Sequence, residues 1–411
     1  MVRPRYGVGV LRVGRLVAMA LVIAAAACGP LGDGGASPSA SPAPGGIASL
    51  DSRAADLRVR LNVLLGEHVM VIAKQADAAA AGRTDEYAGY ATLLTTNRDD
   101  LVAVMTSAFG ASAAARFEGL WSEENDHLVD YTIGAITHNG AKAKAAMSDL
   151  LTSFVPRFAE FISSVTPLSA DGVSALGRDQ AGQQKAFIDD LAGKSYARFF
   201  ADLRAAYGGS AALADALASG IATRFADKFP GAIGSKGVEL RVKLNSLLQE
   251  DSYLASMTTG SLAGSRNTEQ AAAGAALTAS ATALAGLIGD PFGADAKAGL
   301  LQVLGDRNAE LVIYSSTNDD ARRQGALSAL TGAYVQQLAA KLRDIMGLDL
   351  PLASPAIQVQ VQSLIDVVDD QLAPASAAQI ADDDRTAAAT MLPLADLIAA
   401  ATVTAKPEAF A

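Results

Sequence analysis

Five polar side chains in the first half of the chain have types and a spacing that suit a metal ion or a small ligand. They are Glu67, His68, Glu124, His127 and Asp179. Glu124 and His127 form Glu-x-x-His, the spacing that places two ligands on one helical face in di-iron bundles. Glu67, His68 and Asp179 could converge on the same level of a bundle. These residues therefore suggest a site for iron, for another divalent metal or for a small ligand.

The competing interpretation is a polar network inside a helical bundle. His68 lies on the same helical face as Leu61, Leu64 and Ile72, at three- and four-residue spacing. Burying titratable groups singly is costly, so such groups pair or bind something. A di-iron site needs a second Glu-x-x-His, which the sequence lacks, and the second half contains no histidine. We therefore expect the network to fix the helix register without a cofactor.

The sequence contains no complete catalytic constellation. It has no glycine-rich phosphate loop, no Gly-x-Ser-x-Gly elbow and no His-Glu-x-x-His motif. The run Asp382-Asp383-Asp384 lacks the alternating ligands and turn glycine of a calcium loop, so we interpret it as a solvated helix face. These observations favour a protein that is not an enzyme.

The N-terminus carries the pattern of an export signal. A basic segment with arginine at positions 3, 5, 12 and 15 precedes an apolar run over residues 16–27. This run is shorter than the ~20 residues that span a bilayer and is typical of a secretory signal. It ends in Ala25-Ala26-Ala27-Cys28, which resembles the lipobox of bacterial lipoproteins. The resemblance implies that residues 1–27 are a removable signal peptide and that Cys28 carries a diacylglycerol thioether.

Residues 28–50 are rich in glycine, proline and serine and are predicted to be a flexible tether. Removing the signal changes the balance from 33 basic and 43 acidic residues to 29 and 43, a net charge of −14. A body this acidic repels nucleic acid and anionic lipid. We therefore expect no nucleic-acid partner, an extracytoplasmic location at the cell membrane, and attachment through the lipid.

The composition favours an all-α fold. Half of the 411 residues are hydrophobic, but only 5% are aromatic, and alanine makes up much of the apolar count. Alanine is the strongest helix former and leaves little side chain to bury, so closely packed helices are expected. The single cysteine excludes a disulfide framework and a multi-cysteine metal site.

An internal repeat predicts the domain organisation. Residues 57–67 (LRVRLNVLLGE) and 240–250 (LRVKLNSLLQE) share eight of eleven positions at an offset of 183. The interpretation is two tandem homologous helical bundles, 51–231 and 237–411. A weaker period of about 56 within each half indicates about three antiparallel helix hairpins per bundle. Near the C-terminus, Ser354 and Pro355 are predicted to begin a helix, and the alternating stretch 357–361 is assigned to that helix.

One family resemblance rests on short phrases in the first half. They are the phrase LLGEH at 64–68, its recurrence at the weaker period, and FADKFP at 225–230. These resemble a family of secreted or surface helical-repeat proteins of Gram-positive bacteria. Glu124, Asp179 and Asp251 stand where that family tends to keep histidine. The resemblance implies a helical architecture outside the cytoplasm, and an unidentified envelope protein or small ligand is the expected partner.

Overall fold

The computed structural model of the chain describes residues 50–373 and 377–410. Within these residues helices account for nearly every position and no strand is present, which confirms the predicted all-α class. The predicted signal peptide, Cys28 and the tether up to residue 49 lie outside the described residues.

The first half of the body consists of long helices joined by short turns. In chain order they are α1 (Arg53–Ala80), α2 (Thr84–Phe109), α3 (Ala111–Ile136), α4 (Gly140–Asp149), α5 (Val155–Val165), α6 (Ala170–Ala192) and α7 (Tyr196–Arg224). A π-helical segment, Leu150–Phe154, joins α4 to α5. Residues 140–165 therefore form one continuous helical rod.

The second half has a similar order of long helices. They are α8 (Lys236–Ala263), α9 (Asn267–Gly289), α10 (Ala294–Ser316), α11 (Asp320–Ser328), α12 (Val335–Met346), α13 (Leu350–Leu372), α14 (Ile380–Ala389), α15 (Met391–Ala405) and α16 (Pro407–Phe410). A π-helical segment, Ala329–Tyr334, joins α11 to α12. Helices α1 and α8 begin at positions related by the offset of the sequence repeat, and both contain 28 residues.

Local signals account for the main helix boundaries. Ser52 and Ser235 are the N-caps of α1 and α8, and each Oγ accepts a hydrogen bond from the backbone N–H three residues later. Gly110 separates α2 from α3 and Gly293 precedes α10, with φ of 85° and 104°. Only glycine adopts such values without strain, so both sharp turns depend on it.

The predicted helix start at Ser354 and Pro355 is wrong. Helix α13 begins at Leu350, with Pro351 in its first turn, where the missing N–H has no helical partner to lose. Pro355 therefore lies inside the helix and removes one backbone hydrogen bond near its N-terminal end. The alternating stretch 357–361 is helical, as predicted.

Helices α1 and α8 lie side by side at the centre of the body, and both are buried along most of their length. Near their N-termini Arg58 contacts Glu239, and near their C-termini Lys74 contacts Ser256. Residue numbers rise together along the contact, so the two helices run parallel. The long helices of each half surround this pair.

The described residues, 50–373 and 377–410, belong to one compact unit. Contacts between the halves include α1 with α8, α7 with α9 and α2 with α14. Two described stretches, Asn267–Phe292 and Ile380–Ala405, are long and apolar enough to cross a membrane by composition. Half of the apolar window in each is buried in the fold.

Candidate functional site

His68 and Glu124 form a buried acid–base pair between α1 and α3. Nε2 of His68 lies 3.1 Å from Oε2 of Glu124 and 2.9 Å from Oδ1 of Asn125. The His68 side chain is completely buried and that of Glu124 nearly so. A protonated imidazole can donate to the carboxylate, and the pair then compensates the cost of removing both groups from water.

Aromatic rings cover one side of this pair. The ring of Trp121 lies 5.2 Å from that of His68, stacks on Phe117 at 5.3 Å, and contacts Phe158 at 5.9 Å. These side chains are all buried. Because they exclude water, the electrostatic attraction between His68 and Glu124 is weakly screened.

The surroundings of His68 favour its charged form. Burial alone would lower the pKa of His68, but the carboxylate of Glu124, hydrogen bonds to Glu124 and Asn125, and the more distant Glu67 outweigh it. The net result is a pKa above the ordinary value of 6.5. Nδ1 of the same ring is buried without a hydrogen-bond partner among the described residues.

The second half places a pair of reversed polarity at the corresponding positions. An offset of 183 takes His68 to Asp251 and Glu124 to Arg307. Arg307 donates two hydrogen bonds to Asp251, at 2.7 and 2.9 Å, with both side chains buried. Asn308, the counterpart of Asn125, accepts from Arg307 at 2.7 Å. The acid and the base have exchanged helices while the asparagine is retained.

Glu67 belongs to a different part of the interior. Its carboxylate accepts hydrogen bonds from Asn97 at 2.7 Å and from Arg385 at 3.2 Å. Its counterpart Glu250 accepts from Ser280 at 3.1 Å and from Arg204 at 3.0 Å. Each glutamate is thus bound to an arginine that comes from the other half of the chain.

The remaining predicted ligands do not join His68 and Glu124. His127 is partly buried and is not among the hydrogen-bond or ion-pair partners of His68. Asp179 is exposed on α6. In the described part of the chain, no group of three or more histidine, cysteine, aspartate or glutamate side chains is placed to hold a metal ion. The described structure therefore does not bring Glu67, His68, Glu124, His127 and Asp179 together as one set.

Sequence reasoning missed two interior arginines that join the halves. Arg58 donates to Asp215 at 2.6 and 2.7 Å and to Glu239 at 2.6 Å. Arg241, its counterpart, donates in the same way to a second pair of carboxylates, those of Asp396 (2.8 and 2.9 Å) and Asp56 (2.7 Å). Identity at both arginines within the repeated phrases was the signal that could have identified them.

The interpretation of residues 382–384 as a solvated face is wrong for one residue of the three. Asp382 is exposed, but Asp384 is buried on α14. The carboxylate of Asp384 accepts hydrogen bonds from the ammonium of Lys74 and the hydroxyl of Tyr90. Helical periodicity explains the difference, since neighbouring residues on α14 face different environments.

Comparison of the chain with protein-family models, with curated proteins and with solved structures finds no match.

Proposed function

We propose that this protein is a lipid-anchored, extracytoplasmic helical protein with a non-enzymatic role in binding or in organising the cell envelope. The observation that carries the proposal is the mutual pairing of interior charges. His68 pairs with Glu124 and Arg307 with Asp251 in the interior of the fold. Groups paired in this way stabilise a fixed arrangement of helices.

The proposed architecture is a duplicated unit whose two copies fold as one scaffold. Three features support it: the equal lengths of α1 and α8, the π-helical segments at 150–154 and 329–334, and the matching partners of Arg58 and Arg241. A tandem duplication explains all three. A scaffold of this kind presents a long helical surface to a partner.

The proposed attachment rests on the lipobox-like Ala25-Ala26-Ala27-Cys28 and on the charge of the mature body. A net charge of −14 disfavours direct adsorption to anionic headgroups, so the acyl chains would supply the affinity. A single acyl chain binds membranes only marginally, whereas the diacylglycerol of a lipoprotein supplies two.

Fractionation of cells that express the full chain tests the attachment. The parent chain should sediment with membranes and resist extraction by high salt, and Cys28→Ser should move it to the soluble or secreted fraction. Ser41→Ala in the tether is a control that should leave the parent distribution unchanged. Tight membrane association of Cys28→Ser would contradict the proposal.

Elemental analysis of the purified chain and affinity capture from solubilised envelopes test the remaining parts. In the elemental analysis we expect less than about a tenth of an equivalent of bound iron, zinc or manganese. In the affinity capture we expect an envelope partner that stays bound to the protein in high salt. About one equivalent of metal, lost in His68→Ala, would instead support the metal-binding alternative at His68, Glu124 and His127.

A further inference from the structure

Five polar side chains from five helices meet where the C-terminal parts of α1 and α8 lie together. They are Lys74 of α1, Tyr90 of α2, Ser256 of α8, Gln371 of α13 and Asp384 of α14. Lys74 donates to Ser256 at 2.6 Å and also to Asp384, which accepts a second hydrogen bond from Tyr90. Gln371 donates to the Oγ of Ser256 at 3.2 Å.

The corresponding positions of the other half are entirely apolar. An offset of 183 relates α1 and α2 to α8 and α9, 180 relates α6 to α13, and 181 relates Arg204 to Arg385. These offsets take the five residues to Met257, Ala273, Ala73, Leu191 and Leu203, which are all buried. The fold thus packs these five positions with apolar side chains. Since buried polar groups cost free energy that apolar packing avoids, helix packing alone does not account for the polar set.

A small cavity adjoins this cluster. It has a volume of about 130 Å³, and its lining includes Lys74, Ser256 and Gln371 together with Asp77, Arg83 and Arg266. At ~30 Å³ for each water molecule, the space holds roughly four waters or a molecule with about five to seven non-hydrogen atoms. Gly260 also lines the cavity, and a Cβ there would lie 3.1 Å from Nε2 of Gln371, so a larger residue would crowd that side chain.

Three buried atoms at or beside the cavity have unused hydrogen-bonding capacity among the described residues. Nη1 of Arg83 is a donor, and Oε1 of Gln371 and Oδ1 of Asp384 are acceptors. Asp384 is almost completely buried and does not line the cavity. A ligand that satisfies the two lining residues needs an anionic or acceptor group for Arg83 and a donor group for the amide oxygen of Gln371.

We propose that this cavity binds a small zwitterion, a molecule of the size of a short amino acid that carries one ammonium and one carboxylate. The carboxylate of the ligand pairs with Arg83, and its ammonium donates to the amide oxygen of Gln371. Lys74 and Ser256 also line the cavity. The nearby cations Lys74, Arg83 and Arg266 are accompanied by the carboxylates of Asp77, Glu86, Glu269 and Asp384, which favours a ligand that also carries an ammonium over a simple anion.

Isothermal titration calorimetry of the purified full chain tests this site. Glycine, alanine and serine are titrated separately, with acetate and methylammonium as probes that carry only one of the two charged groups. We expect saturable one-to-one binding of at least one amino acid, and binding at least tenfold weaker for acetate and methylammonium. No saturable binding of any amino acid, or equal binding of acetate, would overturn the proposal.

Matched variants on α13 separate ligand contact from stability. Gln371→Met removes an oxygen at the cavity, whereas Gln360→Met removes a buried glutamine with an unpartnered Nε2 that does not line it. Gln371→Met should weaken binding about tenfold or more, while Gln360→Met should leave the affinity unchanged. Equal losses in two variants of equal thermal stability would contradict the assignment.

Arg83→Gln provides a second test of the site if Gln371→Met fails to fold. Arg83 is partly exposed at the start of α2, so Arg83→Gln should retain the fold and lose at least tenfold in affinity. The site does not depend on the lipid anchor. Cys28→Ser should therefore bind the amino acid as the parent does, and a failure of either proposal leaves the other testable.

Discussion

Arg307 donates two hydrogen bonds to Asp251 at the place in the second half where, in the first half, Glu124 is paired with His68. The base lies on α1 in one pair and on α10 in the other. Both pairs are buried. An asparagine supports each pair: Asn125 follows Glu124 on α3, and Asn308 follows Arg307 on α10. The two positions of the pair therefore require side chains of opposite charge and not particular residues. A set of metal ligands would not explain this exchange.

Exchange of the charges should be tolerated only when both residues change. His68→Asp alone places two carboxyl groups side by side, and Glu124→Arg alone places two basic groups side by side. We expect each single variant to lower the free energy of unfolding by about 3–5 kcal/mol. The double variant reproduces the pair of the second half and should recover most of this loss. Urea denaturation followed by circular dichroism measures the difference. His127→Ala is the control, and a double variant less stable than both single variants would contradict the expectation.

Stability should fall with rising pH as His68 deprotonates. The pKa of His68 in the folded chain is raised above its ordinary value of 6.5, so the folded state holds this proton more tightly than the unfolded state. The stabilisation of the folded state by the protonated His68 is complete below pH 6.5 and is lost as the pH rises through the pKa of His68 in the folded chain. Denaturation between pH 6 and 9 should show a steeper decline for the parent than for the double variant His68→Asp, Glu124→Arg. Identical slopes would be inconsistent with a raised pKa.

Asp383 should limit stability at alkaline pH. Burial and a hydrogen bond with Asp370 raise the pKa of Asp383 from 3.8 to about 7. The folded state therefore binds a proton that the unfolded state releases, and stability declines as the pH rises from about 4 through 7. Asp383→Asn should raise the melting temperature at pH 8 and have little effect at pH 4.5, whereas the exposed control Asp382→Asn should have little effect at either. A lower melting temperature at pH 8 for Asp383→Asn would refute the prediction.

The two halves should unfold together. Arg58 and Arg241 each bind carboxylates of both halves. Arg58→Met or Arg241→Met should each cost about 1–3 kcal/mol, because each removes several charge-assisted hydrogen bonds between a buried guanidinium and carboxylates that are partly exposed to water. Scanning calorimetry should show a single transition in the parent and in both variants. The exposed pair of Arg343 with Asp344 offers a control, since Arg343→Met should cost less than about 1 kcal/mol. Two resolved transitions would indicate independent domains.

The helical class was predictable because it depends on local properties. Alanine content, serine caps and the glycine turns act over a few residues, and α1 and α8 begin where Ser52 and Ser235 allow them to. The start of α13 was mispredicted because Pro351 and Pro355 give the same local signal four residues apart. Packing of the whole helix, which no local pattern contains, decides between them.

The interior pairs were only partly predictable. Periodicity placed His68 on an inward face and predicted a polar network there, but it did not assign Glu124 as the partner of His68. The partners of Glu67 and Lys74 did not follow, because Arg385 and Asp384 lie 318 and 310 residues further along the chain. Such contacts depend on how α14 packs against the first half of the chain, and nothing in a single sequence indicates that packing.

The same long separations have a consequence for the order of events during biosynthesis. Glu67 and Lys74 belong to the first helix of the body to emerge from the ribosome, but their partners Arg385 and Asp384 emerge among the last residues. Contacts of such high contact order form slowly and cannot form before the partner exists. Glu67 and Lys74 of helix α1 therefore lack these two partners until translation is nearly finished. The native core closes as a late step, so a nascent chain truncated before α14 should remain open to chaperones and proteases.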